Sequence, residues 1–448
     1  MAKPRSTWRC QQCDTASARW LGRCPECGGF GTFVEELPRV QAPGTGSVEG
    51  AARPVTALAD VTVAAGHRVP TGITEFDRVL GGGLVRGSVV LIGGEPGIGK
   101  STLLLQAAGR LGSAGVPVLY VCGEESLEQV RSRADRVDAG PGISLLAEVD
   151  AAAIEATVLA ERPAVVIIDS IQTLFDPGLD GVPGSVGQVR ATAARLVRLA
   201  KTQDVTLIVV GHVTKEGSIA GPRVLEHVVD TVLYFEGDSD HAFRIVRAAK
   251  NRFGSVSEIG IFEMGEDGLA EVGHPSAALL SRRSEGVAGA VVMATMEGSR
   301  PLLVEVQALV TPSYLPTPRR LSVGIDTPRL LQVIAVAERR ASLPLGSFDV
   351  YVAVAGGVRV TEPAIDLPLA LAIASARRDQ AVPRQCAAFG ELSLTGEVRP
   401  VPHEAARVRE AARMGFDAVL GPARAGKDVP DGMRGVRTLA EAMEALLP

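Results

Sequence analysis

The chain of 448 residues has a hydrophobic content of 46%, a charged content of 22% and a formal net charge of −5 at pH 7. These values are typical of globular domains, and the length is enough for about three of them. The negative balance excludes a uniformly basic nucleic-acid-binding surface, so any such surface is a local basic patch. No apolar stretch approaches the roughly 18 residues that span a bilayer, and the first residues lack the apolar core of a secretory signal. We therefore expect a cytoplasmic protein without membrane contact.

The first 27 residues contain four of the six cysteines, as two Cys-x-x-Cys pairs ten residues apart. This pattern is typical of structural zinc, because a reducing compartment disfavours disulfides and four thiolates complete the coordination of Zn²⁺. An iron–sulfur site is the alternative. No coordination position stays open, so we expect a metal without a catalytic role. The zinc module is predicted over residues 8–34, with the ligands Cys10, Cys13, Cys24 and Cys27.

Residues 35–66 mix Pro, Gly, Ala, Ser and Thr without periodicity, which predicts a linker. From 67 to 270, short apolar runs alternate with helical stretches, and this alternation predicts a parallel sheet flanked by helices. The last two strands of this domain look antiparallel. The predicted strands are Val89–Ile92, Val116–Val121, Ala164–Ile168, Thr206–Val210, Val229–Phe235, Phe243–Ala249 and Glu258–Glu263.

A Gly-x-x-x-x-Gly-Lys-Ser motif follows the first of these strands and opens a helical run. Such a loop points backbone N–H groups into one concavity, and the helix dipole behind it favours phosphate. Lys100 would contact the β- and γ-phosphates, and the Ser101 hydroxyl would hold Mg²⁺. The sequence predicts an ATP or GTP site formed by Gly94, Glu95, Pro96, Gly97, Ile98, Gly99, Lys100, Ser101 and Thr102.

Three later strands end in polar side chains that suit an NTPase, which needs one carboxylate for Mg²⁺ and another for the attacking water. Asp169 ends the third strand, as a Walker B acid does, although an aspartate that merely begins a turn is the alternative. Glu124 and Glu125 follow the second strand, and the residues alone do not decide which activates water. His212 ends the fourth strand, where either a γ-phosphate sensor or an ordinary turn histidine fits.

A basic cluster, Lys250-Asn-Arg-Phe-Gly254, follows the strand that begins at Phe243. It is either a solvated turn or a cationic finger directed at the nucleotide of a neighbouring subunit.

In this order, the motifs resemble those of known proteins. The domain at 67–270 resembles the RecA-like ATPases. Nearly the whole chain resembles the bacterial RadA (Sms) family of DNA repair and recombination proteins, through the cysteine module, the phosphate loop, Gly123-Glu-Glu-Ser, Asp169-Ser and Lys250-Asn-Arg-Phe-Gly. The resemblance implies that the catalytic residues are Lys100, Glu124 and Asp169, with Asp169 also an Mg²⁺ ligand.

The same resemblance implies that Lys250 and Arg252 couple ATP binding to DNA binding, across a subunit interface. It further implies a hexameric ring that binds single-stranded DNA and branched intermediates, acts beside a recombinase of the RecA type and drives branch migration. The loops at 175–188 and 213–223 would face the DNA. The implied DNA contacts are Lys215, Arg223, Lys250 and Arg252.

Residues 278–448 are predicted to form a second α/β domain. This whole domain resembles the proteolytic domain of Lon peptidases, through the segment from Gly390 to Val401 and the helical segment after it, but Ala364 and Ala405 stand where that family has its serine and lysine. We therefore expect no peptidase activity, and a role in assembly and DNA contact. The candidate contacts are Arg319, Arg320, Arg377, Arg378 and Arg384. The predicted strands are Val287–Met296, Leu302–Val310, Val350–Ala355 and Ala388–Ser393, and the predicted helices are Pro328–Arg339, Leu367–Ala376 and His403–Met414.

We therefore expect a DNA-stimulated ATP hydrolase that binds ATP, Mg²⁺ and Zn²⁺ and moves recombination intermediates. Three other functions stay open: an ATP-dependent Lon-type protease, a RecA-like autokinase or signalling ATPase, and a non-enzymatic scaffold whose DNA binding is gated by nucleotide.

Overall fold

The computed structural model describes residues 7–10, 13, 15–36, 57, 68–140, 142–212, 224–237, 243–281, 283, 286–424 and 429–447. The chain forms two compact units. The first holds the residues up to Gly237 and Arg244–Glu271, and the second holds Phe243 and the residues from Val272 onward. None of the described helices is both long and apolar enough to cross a membrane. Most of the predicted linker lies outside the described residues, and its first two residues belong to a strand.

The N-terminal cysteine module is a small antiparallel sheet. Its strands are β1 (Thr7–Cys10), β2 (Ala16–Ser17) and β3 (Phe33–Glu36), in the order β2-β1-β3. Among its described side chains, the buried apolar cluster consists of Cys10, Cys24 and Phe33, with Trp8 and Leu21 against it. So small a core gives little hydrophobic stabilisation, and domains of this size are usually held by metal or disulfides.

A large mixed sheet forms the centre of the first unit. Its elements in chain order are β4 (Arg68–Val69), α1 (Thr74–Leu80), β5 (Leu84–Val85), β6 (Val89–Gly94), α2 (Lys100–Ser113), β7 (Val118–Cys122), α3 (Leu127–Arg136), β8 (Ile143–Leu146), α4 (Ala151–Glu161), β9 (Val165–Asp169), α5 (Val186–Gln203), β10 (Thr206–His212), α6 (Val224–Val228), β11 (Thr231–Glu236), β12 (Phe243–Asn251), β13 (Ile259–Gly265) and β14 (Gly268–Glu271). Within the described residues the sheet has the order β14-β13-β12-β11-β6-β10-β9-β7-β8, and β4 pairs with β5 separately.

The strands from β11 to β8 are parallel, whereas β12 runs antiparallel to β11, and β14 to β13. Every residue of β6 is buried because helices cover both faces. Val90 and Ile92 pack on the side of α2, and Val89 and Leu91 pack on the side of α4 and α5. This arrangement places the carboxyl ends of β6, β7, β9 and β10 side by side at the same end of the sheet.

The predicted strands of this unit all exist, with ends that differ by at most two residues. The short strands β4, β5, β8 and β14 were not predicted. They are peripheral and partly buried, so neither a continuous apolar run nor a strict alternation marks them.

The second unit is built on another mixed sheet. Its elements are α7 (Pro275–Leu280), β15 (Ala290–Glu297), β16 (Arg300–Pro312), β17 (Arg320–Val323), α8 (Thr327–Arg340), β18 (Phe348–Val354), α9 (Asp366–Arg378), β19 (Cys386–Ala388), β20 (Glu391–Leu392), β21 (Val398–Arg399), α10 (Glu404–Arg413), β22 (Ala418–Pro422), β23 (Met433–Val436) and α11 (Leu439–Leu446). In the described part of this unit the sheet order is β17-β18-β16-β15-β19-β22-β23, and β20 pairs with β21. The residues of α9 are buried from Asp366 to Ser375, which makes this helix the centre of the core.

One prediction in this unit is wrong. Ala388–Ser393 is not a single strand, because the chain leaves the large sheet at Phe389 and re-enters structure in the pair β20–β21. At the break, the Gly390 N–H donates to the carbonyl of Ala364, and the Gly390 carbonyl accepts from Leu367. The backbone of Gly390 thus bonds to the start of α9 instead of a neighbouring strand.

Candidate active site

The phosphate loop joins β6 to α2 and depends on glycine at two positions. Gly99 caps α2 with φ +114°, and a Cβ there would lie 2.7 Å from Cε of Met264. A Cβ on Gly94 would lie 2.7 Å from the carbonyl oxygen of Phe235 on the adjacent strand. Only glycine tolerates the φ of Gly99 and the close backbone contact of Gly94 without strain. The two glycines let the loop lead directly into the N-terminus of a 14-residue helix, the position in which phosphate binds.

Lys100 is anchored within this loop. Its side chain is 5% exposed, and Nζ donates to the carbonyl oxygens of Gly94 and Glu95 at 2.8 Å each. Burial lowers the pKa of Lys100, and the negative charges of Asp169 and Glu124 oppose that shift. The cation therefore lies in the field of both predicted catalytic carboxylates.

A cavity of about 550 Å³ brings the three predicted catalytic residues together with most of the predicted phosphate loop; Gly94, Glu95 and Ile98 are not in its lining. It is bounded by the phosphate loop, by the segment after β7 and by the end of β9, so three strands of the parallel sheet contribute their carboxyl ends. Open α/β sheets bind ligands in this position. The lining residues are Pro96, Gly97, Gly99, Lys100, Ser101, Thr102, Tyr120, Cys122, Glu124, Glu125, Val130, Arg133, Arg136, Asp169 and Met264.

Asp169 has a partner that sequence reasoning missed. The hydroxyl of Tyr120, a residue 1% exposed on β7, donates to Asp169 Oδ2 at 2.7 Å. Burial and then the charge of Asp169 raise the pKa of Tyr120 well above its ordinary value, so the phenol stays protonated and can donate. The only signal in the sequence is a polar-tipped side chain two residues before the end of an apolar strand.

Glu124 and Glu125 have different contacts. Glu124 Oε1 accepts a hydrogen bond from the hydroxyl of Ser170, whereas Glu125 Oε1 forms an ion pair with the guanidinium of Arg133. The ion pair ties Glu125 to α3, whereas the bond from Ser170 ties Glu124 to the end of β9, next to Asp169. These contacts separate two residues that the sequence alone leaves equivalent.

The Lys250–Gly254 cluster lies at the other end of the sheet, where the parallel strands begin. Asn251 pairs with Thr231, which in turn pairs with Val90 near the start of β6, whereas the phosphate loop begins at Gly94. Four residues of strand separate the two positions by about 13 Å. The cluster therefore lies away from the phosphate loop of its own chain.

Lys250 and Arg252 differ in exposure. Lys250 Nζ donates to the carbonyl oxygens of Glu226 and Val229 at 2.7 Å each, and burial lowers the pKa of Lys250. The guanidinium of Arg252 lies 3.4 Å from Asp230 Oδ1, and its side chain is 52% exposed. Lys250 thus binds the backbone of its own chain, and Arg252 is the cation presented to solvent.

Several predicted site residues fall outside what is described. The loop 213–223 with Lys215 and Arg223 lies there, and so does the side chain of His212, whose backbone ends β10. The other predicted DNA-facing loop, 175–188, is described. The buried amide of Gln188 accepts from the N–H of Asp176 and donates to the carbonyl of Leu179, which ties that loop to the start of α5.

The four cysteines near the N-terminus form one cluster. Their Sγ atoms all lie within 4.8 Å of one another, with 3.6 Å between Cys10 and Cys27 and 3.4 Å between Cys13 and Cys24. Four thiolates around one tetrahedral zinc ion lie about 3.8 Å apart. The donor set and spacing fit a closed structural site.

In the second unit, Ala364 is buried in the turn before α9 and Ala405 is exposed on α10. Because both residues are alanine, neither position carries a nucleophile or a base. A buried ion pair lies nearby instead. Arg407, 1% exposed, contacts Glu362 at 2.5 and 2.8 Å and donates to the carbonyl of Ala294 at 2.6 Å. Burial raises the pKa of Glu362, but the bonds and charge of Arg407, together with the bonds from Thr295 and Met296, outweigh burial and the pKa is lowered.

Three of the five arginines proposed for DNA contact also have partners within the second unit. Arg320 donates to the carbonyls of Leu345 and Phe348, and Arg378 donates to that of Leu447. Arg377 stacks on the ring of Phe348 at 4.0 Å. All five arginines stay candidates for DNA contact, and these three also contribute to the packing of their own unit.

Comparison with known proteins bears on the whole chain. It is 49% identical over 458 residues to the DNA repair protein RadA of Streptococcus pyogenes serotype M6, and 49% identical over 452 residues to that of Pseudomonas aeruginosa, with 100% of each chain covered in both cases. A solved structure of a KaiC-like protein from Pyrococcus horikoshii is 22% identical, with a TM-score of 0.39 over 46% of this chain and 98% of that chain.

Three family profiles match separate parts of the sequence. Their descriptions are a rubredoxin metal binding domain at residues 8–35, an AAA domain at 52–218 and subunit ChlI of Mg-chelatase at 334–425. The resemblance inferred from the motifs is confirmed. So is the predicted fold class, a P-loop α/β core with an N-terminal zinc module and a C-terminal α/β domain.

Proposed function

Because the chain belongs to the RadA family of DNA repair proteins, we propose that it hydrolyses ATP in response to single-stranded DNA and drives branch migration of recombination intermediates as a ring-shaped translocase. One observation carries the catalytic part of this proposal. A single cavity holds a phosphate loop, a buried lysine and two carboxylates from neighbouring strand ends. That is the set of groups that phosphoryl transfer to water needs.

Each group has a distinct role in the proposal. The backbone N–H groups of Gly97–Thr102 and the Nζ of Lys100 hold the phosphates. The hydroxyl of Ser101 and the carboxylate of Asp169 both line the cavity, and such oxygen donors suit Mg²⁺, which would neutralise charge on the phosphates. Glu124 orients and deprotonates the attacking water, and His212 senses the γ-phosphate.

The position of the basic cluster supports an assembly of several subunits. Arg252 is exposed and lies at the end of the sheet opposite the phosphate loop. A head-to-tail arrangement of identical subunits would bring that end of the sheet to the nucleotide of the next subunit, and such arrangements close into rings when the rotation between subunits allows it. We propose a hexamer in which Arg252 acts across the interface, while Lys250 fixes the cluster through the backbone of α6.

DNA would bind in the channel of this ring. Lys215 and Arg223 of the loop 213–223 supply phosphate contacts, and sixfold repetition makes a local basic surface on a chain of net charge −5. We propose branched recombination intermediates as the substrate, a RecA-type recombinase as a partner and the cytoplasm, where bacterial DNA lies, as the location. The C-terminal unit would serve assembly and DNA contact.

Branch migration of a synthetic three-strand intermediate with one labelled strand tests this function. The wild type is expected to extend the exchanged region with ATP, and Lys100→Ala is expected to be inactive because it loses the phosphate-binding cation. Arg131→Ala is the matched control, since it also removes a cation, its side chain is 74% exposed and it pairs with Asp135 on the same helix.

Extension without ATP, or unchanged extension by Lys100→Ala, would contradict the proposal. ATP-stimulated degradation of casein would favour the Lon-type protease instead, and transfer of labelled γ-phosphate to the chain itself would favour the autokinase.

A further inference from the structure

Tyr120 joins the apolar core of the first unit to the nucleotide cavity. Its ring packs in the hydrophobic cluster between the sheet and α2, and the residue also lines the cavity. Its hydroxyl donates to Oδ2 of Asp169 at 2.7 Å. The side chain thus has a rigidly packed body and a polar tip at the carboxylate that ends β9.

The register of the sheet explains this contact. In the parallel pair β7 and β9, Tyr120 lies opposite Ile167, and Cys122 lies opposite Asp169. Alternate residues of a strand point to the same face, so Tyr120 and Asp169 share the face that α2 covers. They are two positions apart along the strands, about 7 Å, a distance that the long tyrosine side chain spans.

Packing alone does not account for the hydroxyl. A phenylalanine would fill the same apolar space, and a buried hydroxyl costs free energy unless it forms a hydrogen bond. Here the acceptor is an aspartate, and hydrogen bonds to ionised acceptors are the stronger class. The terminal torsion of an aspartate is otherwise broad, so the bond restricts rotation of the carboxylate.

We propose that Tyr120 is a positioning residue that holds the carboxylate of Asp169 in the orientation that binds the hydrated Mg²⁺ of the nucleotide. One oxygen of Asp169 accepts the phenol, which leaves the other for the hydration shell of the cation. This inference rests on the proposed role of Asp169 in holding Mg²⁺.

Binding of a fluorescent ADP, labelled with the N-methylanthraniloyl group, to the full chain tests the proposal without any turnover. The affinity is measured in excess EDTA and again across a titration of Mg²⁺. Tyr120→Phe is expected to bind within about twofold of the wild type in EDTA, and the gain in affinity that Mg²⁺ provides is expected to fall about tenfold, the order of one hydrogen bond to a charged group.

Two further variants sharpen this test. Tyr234→Phe is the matched control, because Tyr234 also donates to a carboxylate at 2.8 Å, that of Glu226, and should leave the gain from Mg²⁺ unchanged. Asp169→Asn should lose that gain, and adding Tyr120→Phe to Asp169→Asn should cause no further loss, because the tyrosine acts through the aspartate.

Four results would overturn the proposal. In Tyr120→Phe these are a gain in affinity from Mg²⁺ as large as that of the wild type, an equal loss of nucleotide affinity with and without Mg²⁺, and the loss of cooperative thermal unfolding. In the wild type it is a nucleotide affinity that does not change with Mg²⁺. DNA plays no part in the measurement. If the proposed DNA-driven activity fails its own test, the dependence of nucleotide affinity on Mg²⁺ can still be interpreted.

Discussion

Glu124 and Glu125 are adjacent in sequence and line the same cavity, but their partners give them different chemistry. Glu125 forms an ion pair with the guanidinium of Arg133 on α3, whereas Glu124 accepts a hydrogen bond from the hydroxyl of Ser170, the residue after Asp169. The carboxylate that activates water has to lie beside the group that holds Mg²⁺. We therefore propose that Glu124 activates the water.

The assignment predicts a difference between two isosteric substitutions. Glu124→Gln should lower the rate of ATP hydrolysis at least about a hundredfold, the usual contribution of a general base, while nucleotide binding persists. Glu125→Gln, its matched control, should keep most of the activity. Single-turnover hydrolysis beside fluorescent-nucleotide binding measures both quantities, and the reverse order of the two variants would show that Glu125 is the base.

At the level of single residues, the sequence identifies groups but not their partners. The motif around Lys100 predicts the phosphate loop because its residues are contiguous. The contacts of Tyr120 with Asp169 and of Arg407 with Glu362 join residues 49 and 45 positions apart. Such contacts depend on strand order and helix packing, which a local pattern does not specify.

At the level of elements, the central strands of the first unit were predicted well because parallel strands buried on both faces are continuous apolar runs. The strand predicted at Ala388–Ser393 fails for a tertiary reason, since Gly390 bonds to the start of α9. The predicted zinc module depends least on tertiary structure, because its four ligands lie within 18 residues.

The zinc module also allows a prediction about an element. Its described apolar core is small, so the metal should supply most of the free energy that holds β1, β2 and β3 together. Removal of the metal with a chelator should abolish hydrogen-exchange protection in β1 and β3, and leave β6, β9 and β10 protected. Exchange read by mass spectrometry distinguishes these segments. Cys386→Ser, which removes a thiol in the core of the second unit, is the control for effects of the chelator on other cysteines, and it should respond to removal of the metal as the wild type does.

Unchanged protection in β1 and β3 after full removal of the metal would contradict a structural role for it. Loss of protection in β6 as well would contradict the independence of the nucleotide-binding sheet from the metal.

At the level of the whole molecule, a P-loop unit and an α/β unit with alanine at Ala364 and Ala405 occur in a chain whose relatives are DNA repair proteins. The position of the basic cluster, opposite the phosphate loop, gives a physical reason to expect that a single subunit lacks part of its catalytic site. The proposed ring and its proposed DNA path cannot be read from one chain alone, because both would depend on surfaces of several copies.

The rate of ATP hydrolysis with and without single-stranded DNA tests the central claim most directly. The wild type and Arg131→Ala should hydrolyse ATP several-fold faster when DNA is present. Lys100→Ala should be inactive in both conditions, and Arg252→Ala should lose the response to DNA. A wild-type rate that DNA leaves unchanged would contradict the claim that this cavity powers movement on DNA.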